Sequence, residues 1–179
     1  WVINLYQSTD RRRTAYFAEL QTGYPHQLSW PLLVKYYGNE SLISSLIYHV
    51  NMPKPLRLAE QYLIRAEAYC RKGNYSAASA DLSALREARH TTGGAISVNA
   101  GNWLQTISDE RVRELYMEGF RLHDLKRWGH GFKRTPQAQS QTEGSSLSIE
   151  GGDPLFVWPI PKHELEAPGS DIQPNESNR

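Results

Sequence analysis

Residues 107–129, ISDERVRELYMEGFRLHDLKRWG, constrain the fold more than any other stretch of this chain. Acids and bases stand at helical neighbour spacing: Asp109 and Glu110 with Arg113, Glu118 with Arg121, Asp124 with Arg127. The acid mostly comes first, the better orientation along a helix. Ile107, Val112, Leu115, Tyr116, Phe120, Leu122, Leu125 and Trp128 fill much of the remainder. A helix this charged and this apolar packs against neighbours on several sides. The pattern predicts helix over the whole segment, opened by a capping box from Thr106 and Asp109. A kink is expected at Gly119, whose missing side chain costs about 1 kcal/mol of helix propensity. Gly129 ends the helix as a C′ residue, with Lys126 and Arg127 complementing the dipole in the last turn.

Upstream, Pro53 and Pro55 mark a change of pattern. Residues 56–72, LRLAEQYLIRAEAYCRK, are strong helix formers with dense apolar positions. Gly73 and Asn74 supply a helix stop, and residues 75–90 form a second amphipathic helix, small on one face at Ala77, Ala78, Ala80 and Ala84. Two helices separated by two residues make a hairpin, and small residues allow close approach. Aligned on Gly73, the 34-residue tetratricopeptide pattern places Tyr62, Ala66, Tyr69, Gly73, Tyr75 and Ala78 at its signature positions. Such a hairpin cannot bury its own face and needs stacked neighbours.

The expected fold is therefore mainly α, tetratricopeptide-like helical hairpins in an α-α superhelix with long irregular loops. One domain is expected over 1–179: a loop-rich lead-in with marginal strands at 1–55, a helical scaffold at 56–129, and a long loop with an extended C-terminal segment at 130–179. A helical start near Glu40 fits the lead-in, and Arg11, Arg12 and Arg13 read as a solvated turn. Residues 130–153 are polar with few apolar anchors, a length that in a compact domain marks a functional or mobile loop. LFVWPIP at 155–161 reads as extended, followed by at most a short helix at 162–167.

Composition removes several functions. A net charge of +1 recruits neither nucleic acid nor an anionic membrane, and no nucleic-acid-binding pattern emerges. The single cysteine, Cys70, excludes an internal disulfide and reads as a buried small hydrophobe. No apolar run reaches the roughly 18 residues needed to span a bilayer. A chain opening on Trp1 within structured-looking sequence reads as a fragment or mature product, so the missing targeting signal carries no information. G-x-S-x-G, P-loop and H-E-x-x-H signatures are absent, and the six histidines lack metal-ligand spacing. No catalytic residue, metal site or cofactor is expected. The exception to weigh is Glu114 with Glu118, one turn apart on the predicted helix. A glycosidase holds two carboxylates roughly 5–9.5 Å apart. Arg111, Arg113 and Arg121 lie beside them, however, and nearby cations lower a carboxyl pKa, which is wrong for a general acid.

Three segments in order then resemble a known family. RLAEQYLIRAEAY (57–69), ISDERVRELYMEGFRLHDLKRWG (107–129) and LFVWPIPKHEL (155–165) are similar to the C-terminal region of SusD/RagB-type outer-membrane lipoproteins of Bacteroidetes. The family's motifs are an R-x-A-E-x-x-L-x-x-A-E-A hairpin start, an E-R-x-x-E-L-x-x-E-G-x-R-x-x-D-L-x-R-W-G helix and an L-x-P-I-P-x-x-E segment. Asp10-Arg11 and Lys35-Tyr36 resemble upstream landmarks, and the ending departs, reading DIQPNES where the family shows a Q-N-P-G-like close. The resemblance spans roughly residues 10–170 and about the last third of a full member.

The resemblance implies a tetratricopeptide-like scaffold at the cell surface, held by a lipid anchor absent from this chain. It implies capture of an oligosaccharide or other nutrient for a SusC-like TonB-dependent transporter, with no cleavage. It makes the motif helix a structural ion-paired element carrying Glu110, Arg111, Glu114, Glu118, Arg121, Asp124 and Arg127. Sugar binding needs exposed aromatic faces, and the candidates outside the predicted helices are Trp1, Trp30, Tyr36, Tyr37 and Trp103, with core packing the competing reading of each. The alternative functions are a tetratricopeptide-like protein-interaction scaffold without sugar binding, and a glycoside hydrolase fragment.

Overall fold

The helical hairpin forms where the sequence places it. In a computed structural model, which describes residues 2–21, 29–36, 38, 40–43, 50–52, 54–134 and 147–178, α3 runs Leu58–Arg71 and α4 runs Tyr75–Glu87. Gly73 takes the left-handed conformation at φ 75°. The Gly73 amide donates to the Cys70 carbonyl and the Asn74 amide to the Tyr69 carbonyl, both at 2.9 Å. These two bonds are the 5→2 and 6→1 pair that closes a helix through a left-handed glycine. Asn74 then caps α4, its side chain accepting from the Ala77 amide. The small signature positions of the repeat pattern are those the packing needs: Ala66 and Ala78 are fully buried.

The chain divides into two compact units, Trp1–Tyr116 and Met117–Arg179. In the first, a 3-10 turn at Val2–Leu5 leads to α1 (Arg11–Tyr16), then to the antiparallel pair β1 (Phe17–Gln21) and β2 (Ser29–Leu33), and to a short α2 (Glu40–Ile43). After the hairpin comes α5 (Trp103–Glu114). Helix α3 packs against both α4 and α5, so its neighbours bury Leu63, Ala66 and Cys70 with Leu82, Leu85 and Ile107. Burial raises the Cys70 thiol pKa, as befits a packed small hydrophobe. An Arg65 fork on Asp81, at 2.8 and 2.7 Å, links α3 to α4.

The described residues of the lead-in carry more regular structure than its composition suggests. The arginine run is not a solvated turn but the first turn of α1, whose N-cap Asp10 accepts from the Arg12 amide at 3.0 Å. Arg12 is 2% exposed, because the helix turns it inward toward α5, while Arg11 and Arg13 stay exposed.

The expected continuous helix over 107–129 is two helices. Helix α5 starts a turn earlier than expected, at Trp103, and the capping box does not form. Thr106 instead donates to the Asn102 carbonyl, and Asp109 accepts from Gln105. The helix stops after Glu114, where side chains from elsewhere take up the freed carbonyls of Glu114 and Tyr116. Lys35 Nζ donates to the Glu114 and Tyr116 carbonyls at 3.1 and 3.0 Å, and Arg57 donates to the Glu114 carbonyl at 2.9 Å. Carbonyls satisfied this way no longer require a following turn.

The second unit opens with that break. Met117 stands at φ 62° and Gly119 at φ 83°, both left-handed, before α6 (Phe120–Trp128). Gly129 ends α6 as expected, with φ 65°, its amide on the Lys126 carbonyl and the His130 amide on the Leu125 carbonyl. A two-residue antiparallel pair follows, β3 (Phe132–Lys133) with β4 (Ser148–Ile149). A 3-10 turn at Pro154–Phe156 buries Phe156 edge-on to Phe132, and α7 (Lys162–Leu165) is the short helix anticipated. Chain crossings here are tight: a side chain on Gly151 would overlap the Gly129 carbonyl, and one on Gly131 the Ile149 carbonyl.

Candidate functional site

Two sets of residues compete for a functional role, the charges of α5 and the aromatic rings at the surface. Glu110 and Glu114 project from one face of α5 and are fully buried. Glu110 accepts from Arg12 at 2.7 Å, Arg86 at 2.8 Å and Arg113 at 2.8 and 3.0 Å. Glu114 accepts from Arg12, Arg57 and Arg89 at 2.9 to 3.0 Å. Arg12 also forks onto Asp10 at 2.9 and 2.7 Å. Burial alone would raise both glutamate pKa values, but the guanidiniums reverse the sign. Glu114 falls to about 2 through Arg89, Arg12 and Arg57, and Glu110 is lowered chiefly by Arg12 and Arg113. The same balance keeps Arg12 charged: burial opposes the charge, and Asp10 and Glu110 more than restore it. These carboxylates are ionised, saturated with donors and shut off from solvent. Glu114 therefore has neither the proton nor the access of a general acid, and Glu118 lies beyond the end of α5, where helical spacing no longer relates the two. Among the described residues no cluster of histidine, cysteine or acidic side chains could hold a metal ion.

Of the other charged residues carried over from the motif, Arg111 and Asp124 are buried, and Arg127 donates to Asp124 at 3.0 Å. Glu118 is half-buried and Arg121 exposed. Sequence reasoning found Glu110 and Glu114 of this cluster but assigned no such role to Asp10, Arg12, Arg57, Arg86 and Arg89. Their early signals are family landmarks alone, Asp10 in Asp10-Arg11 and Arg57 at the head of the 57–69 motif.

The aromatic candidates are dispersed. Trp1 and Tyr37 lie outside the described residues, and Trp30 is described only as a backbone position of β2, paired with Leu20. Trp103 is half-buried at the start of α5, under the Arg71 guanidinium at 5.6 Å from its ring centre. Tyr36 is 38% exposed. Its carbonyl accepts from Asn51 at 3.1 Å, and Lys35 Nζ lies 5.8 Å from its ring centre and 4.4 Å from that of Tyr16. Lys35 marks the C-terminal end of α5 and Trp103 the other end, roughly 16 Å along the helix axis at 1.5 Å per residue. Tyr36 and Trp103 therefore belong to different ends of the scaffold.

One ring that sequence reasoning passed over is more exposed than Tyr36 or Trp103. Trp158 is 83% exposed, yet its backbone is fastened: its carbonyl accepts from Asn175 at 2.9 Å, and Asn178 bonds both the amide and the carbonyl of Ile160. Pro159 and Pro161 fix the intervening dihedrals. A large apolar ring on a stiff strap offers contact area at little ordering cost.

Comparison with known proteins adds the following. The model of the SusD family matches residues 5–173. Over 73 residues the chain is 42% identical to the starch-binding protein SusD of Bacteroides thetaiotaomicron, covering 41% of this chain and 12% of that protein. A crystal structure of a SusD superfamily protein from Bacteroides thetaiotaomicron superposes over 97% of this chain and 38% of its own, with a TM-score of 0.75 and 27% identity. A SusD-like carbohydrate binding protein from Bacteroides vulgatus superposes over 75% of this chain and 28% of its own, with a TM-score of 0.61 and 26% identity. The chain thus spans well under half the length of these relatives.

Proposed function

We propose a function from one premise: the chain belongs to the SusD family, and the protein that carries it captures carbohydrate at the cell surface without cleaving it. The observation that carries this reading is the family match over residues 5–173, joined to relatives described as starch-binding and carbohydrate binding. The chemistry of the chain is compatible. Glu114, one of the two carboxylates weighed for hydrolysis, is locked by arginine, and the exposed rings of Tyr36 and Trp158 offer faces that suit a pyranose ring. Tyr36 and Trp158 are the exposed rings we assign to ligand contact, each on its own unit.

The finer reading is delivery of the glycan to a SusC-like TonB-dependent transporter from an outer-membrane, lipid-anchored position. No helix among the described residues is long and apolar enough to cross a membrane, and an anchor outside the fold is consistent with that. A second reading, a scaffold that docks another protein, has one observation in its favour. Leu58, Gln61, Tyr62, Ile64 and Arg65 line an open groove of about 270 Å³ on the outer face of α3. Affinity electrophoresis of the protein in gels containing soluble polysaccharides tests the main reading. Retardation by at least one glycan, weakened by Tyr36→Ala or Trp158→Ala, is expected. A folded protein that no glycan retards would leave the scaffold reading standing instead.

A further inference from the structure

His90 follows α4 and is 5% exposed. One ring nitrogen, Nδ1, bonds the Thr9 hydroxyl at 3.0 Å. The other, Nε2, has no hydrogen-bond partner, and it is the one buried side-chain polar atom among the described residues in that condition. Asp10 Oδ2 is 3.6 Å away, too far for a hydrogen bond, and is engaged by Arg12 at 2.7 Å.

The ring sits in a seam. The Arg11 amide donates to the Arg89 carbonyl and the Thr91 amide to the Thr9 carbonyl, both at 2.9 Å, and Asp10 bridges His90 in the β sense. These bonds fasten the N-terminal segment to the end of α4. The charged groups around the ring come from every element packed on it: Asp10 and Arg12 from the N-terminal side, Arg86 from α4, Glu110 and Arg113 from α5. Both carboxylates are already taken, Asp10 by Arg12, and Glu110 by Arg12, Arg86 and Arg113. A proton on His90 would add a cation with no uncommitted counter-charge. A cavity of about 170 Å³, walled in part by Gln7, Asp10, Arg86 and Arg113, adjoins the ring.

We propose that His90 is a pH-sensitive latch: in mildly acidic solution, protonation of its ring opens the seam between residues 9–11 and 89–91 while the α3–α4–α5 core stays folded. Burial, reinforced by Arg86 and Arg12 against the pull of Asp10, holds the ring's pKa below the ordinary histidine value. The ring therefore binds a proton more readily once the seam is open. The closed seam is favoured above the ordinary value of about 6.5, and the open form gains as the pH falls below it. The core does not follow, because α3 packs on α4 and α5 through Leu63, Ala66, Leu82 and Ile107, none of which lies in the seam.

Amide hydrogen exchange on the wild-type protein between pH 7.5 and 5, corrected for intrinsic exchange, tests the latch. Protection of the Arg11 and Thr91 amides should fall below pH 6.5 by up to about tenfold per pH unit, the limit for one linked proton, while amides within α3 hold. His90→Gln should flatten that dependence. Flat protection at Arg11 and Thr91 in the wild type overturns the proposal, as does an undiminished fall in His90→Gln or a fall of the α3 amides in step. Should the variant not fold, the wild-type ring decides by NMR titration: a histidine titrating at or above the ordinary value contradicts the latch, and one titrating below it supports it.

Discussion

Arg12 divides one guanidinium among Asp10, Glu110 and Glu114, all buried. Removing it leaves three carboxylates short of a counter-charge, and breaking a buried pair by deleting one partner costs about 3–5 kcal/mol. Arg12→Ala is therefore expected to lower the free energy of unfolding by about that much in urea titrations. Arg11→Ala and Arg13→Ala, at exposed positions, should stay within about 0.5 kcal/mol of the wild type. The pH dependence has a defined sign. Glu110 and Glu114 have depressed pKa values, so their contribution is present above the ordinary glutamate range and is lost as the pH drops toward about 2, the Glu114 value. The free energy of unfolding measured in urea should thus fall as the pH drops below about 4.5 toward 2, and Glu114→Gln should remove much of that slope. Glu110 and Glu114 were legible because helical spacing orders residues along one element. Most of the bases were not, because which of three consecutive arginines faces inward depends on how α1 docks. A solvated run and a buried anchor have the same local sequence.

At the scale of elements, the hairpin was legible almost to the residue. Its stop signal, Gly73 with Asn74, acts locally through a left-handed glycine and a side-chain cap, and local signals are what sequence carries. The division between α5 and α6 was not legible. Where α5 ends, its Glu114 carbonyl is taken by Lys35 and Arg57, which lie 79 and 57 positions away along the chain. The turn that follows places Met117 at φ 62°, where a side chain is strained, and Gly119 at φ 83°, where none is present. Gly119→Ala is expected to destabilise by about 1 kcal/mol, and Met117→Gly to be neutral or mildly stabilising. Urea unfolding of the two variants side by side checks the pair, and equal losses in both would contradict the left-handed turn. Gly151→Ala should cost more than Gly119→Ala, since its side chain would meet backbone that has little room to move.

For the whole molecule, family membership was legible from three ordered motifs and is carried by the match over residues 5–173. The candidate ligand residues were much less legible. An aromatic side chain reads alike whether it packs or projects, and projection is settled by the strap or turn beneath it. Trp103 faces a packing partner in Arg71, whereas Trp158 projects from a segment pinned by Asn175 and Asn178. In the proposed function the charged helices hold the frame, and the exposed rings are assigned to the ligand. Affinity electrophoresis of the protein against a panel of soluble polysaccharides, run with Trp158→Ala, Tyr36→Ala and Arg12→Lys, addresses that division of labour directly. Retardation of the wild type by at least one glycan is expected, with loss of retardation in an aromatic variant whose melting temperature is unchanged. A lowered melting temperature is expected in Arg12→Lys, with binding retained below it. Glycan binding that survives in both aromatic variants but vanishes in a still-folded Arg12→Lys would contradict that division of labour.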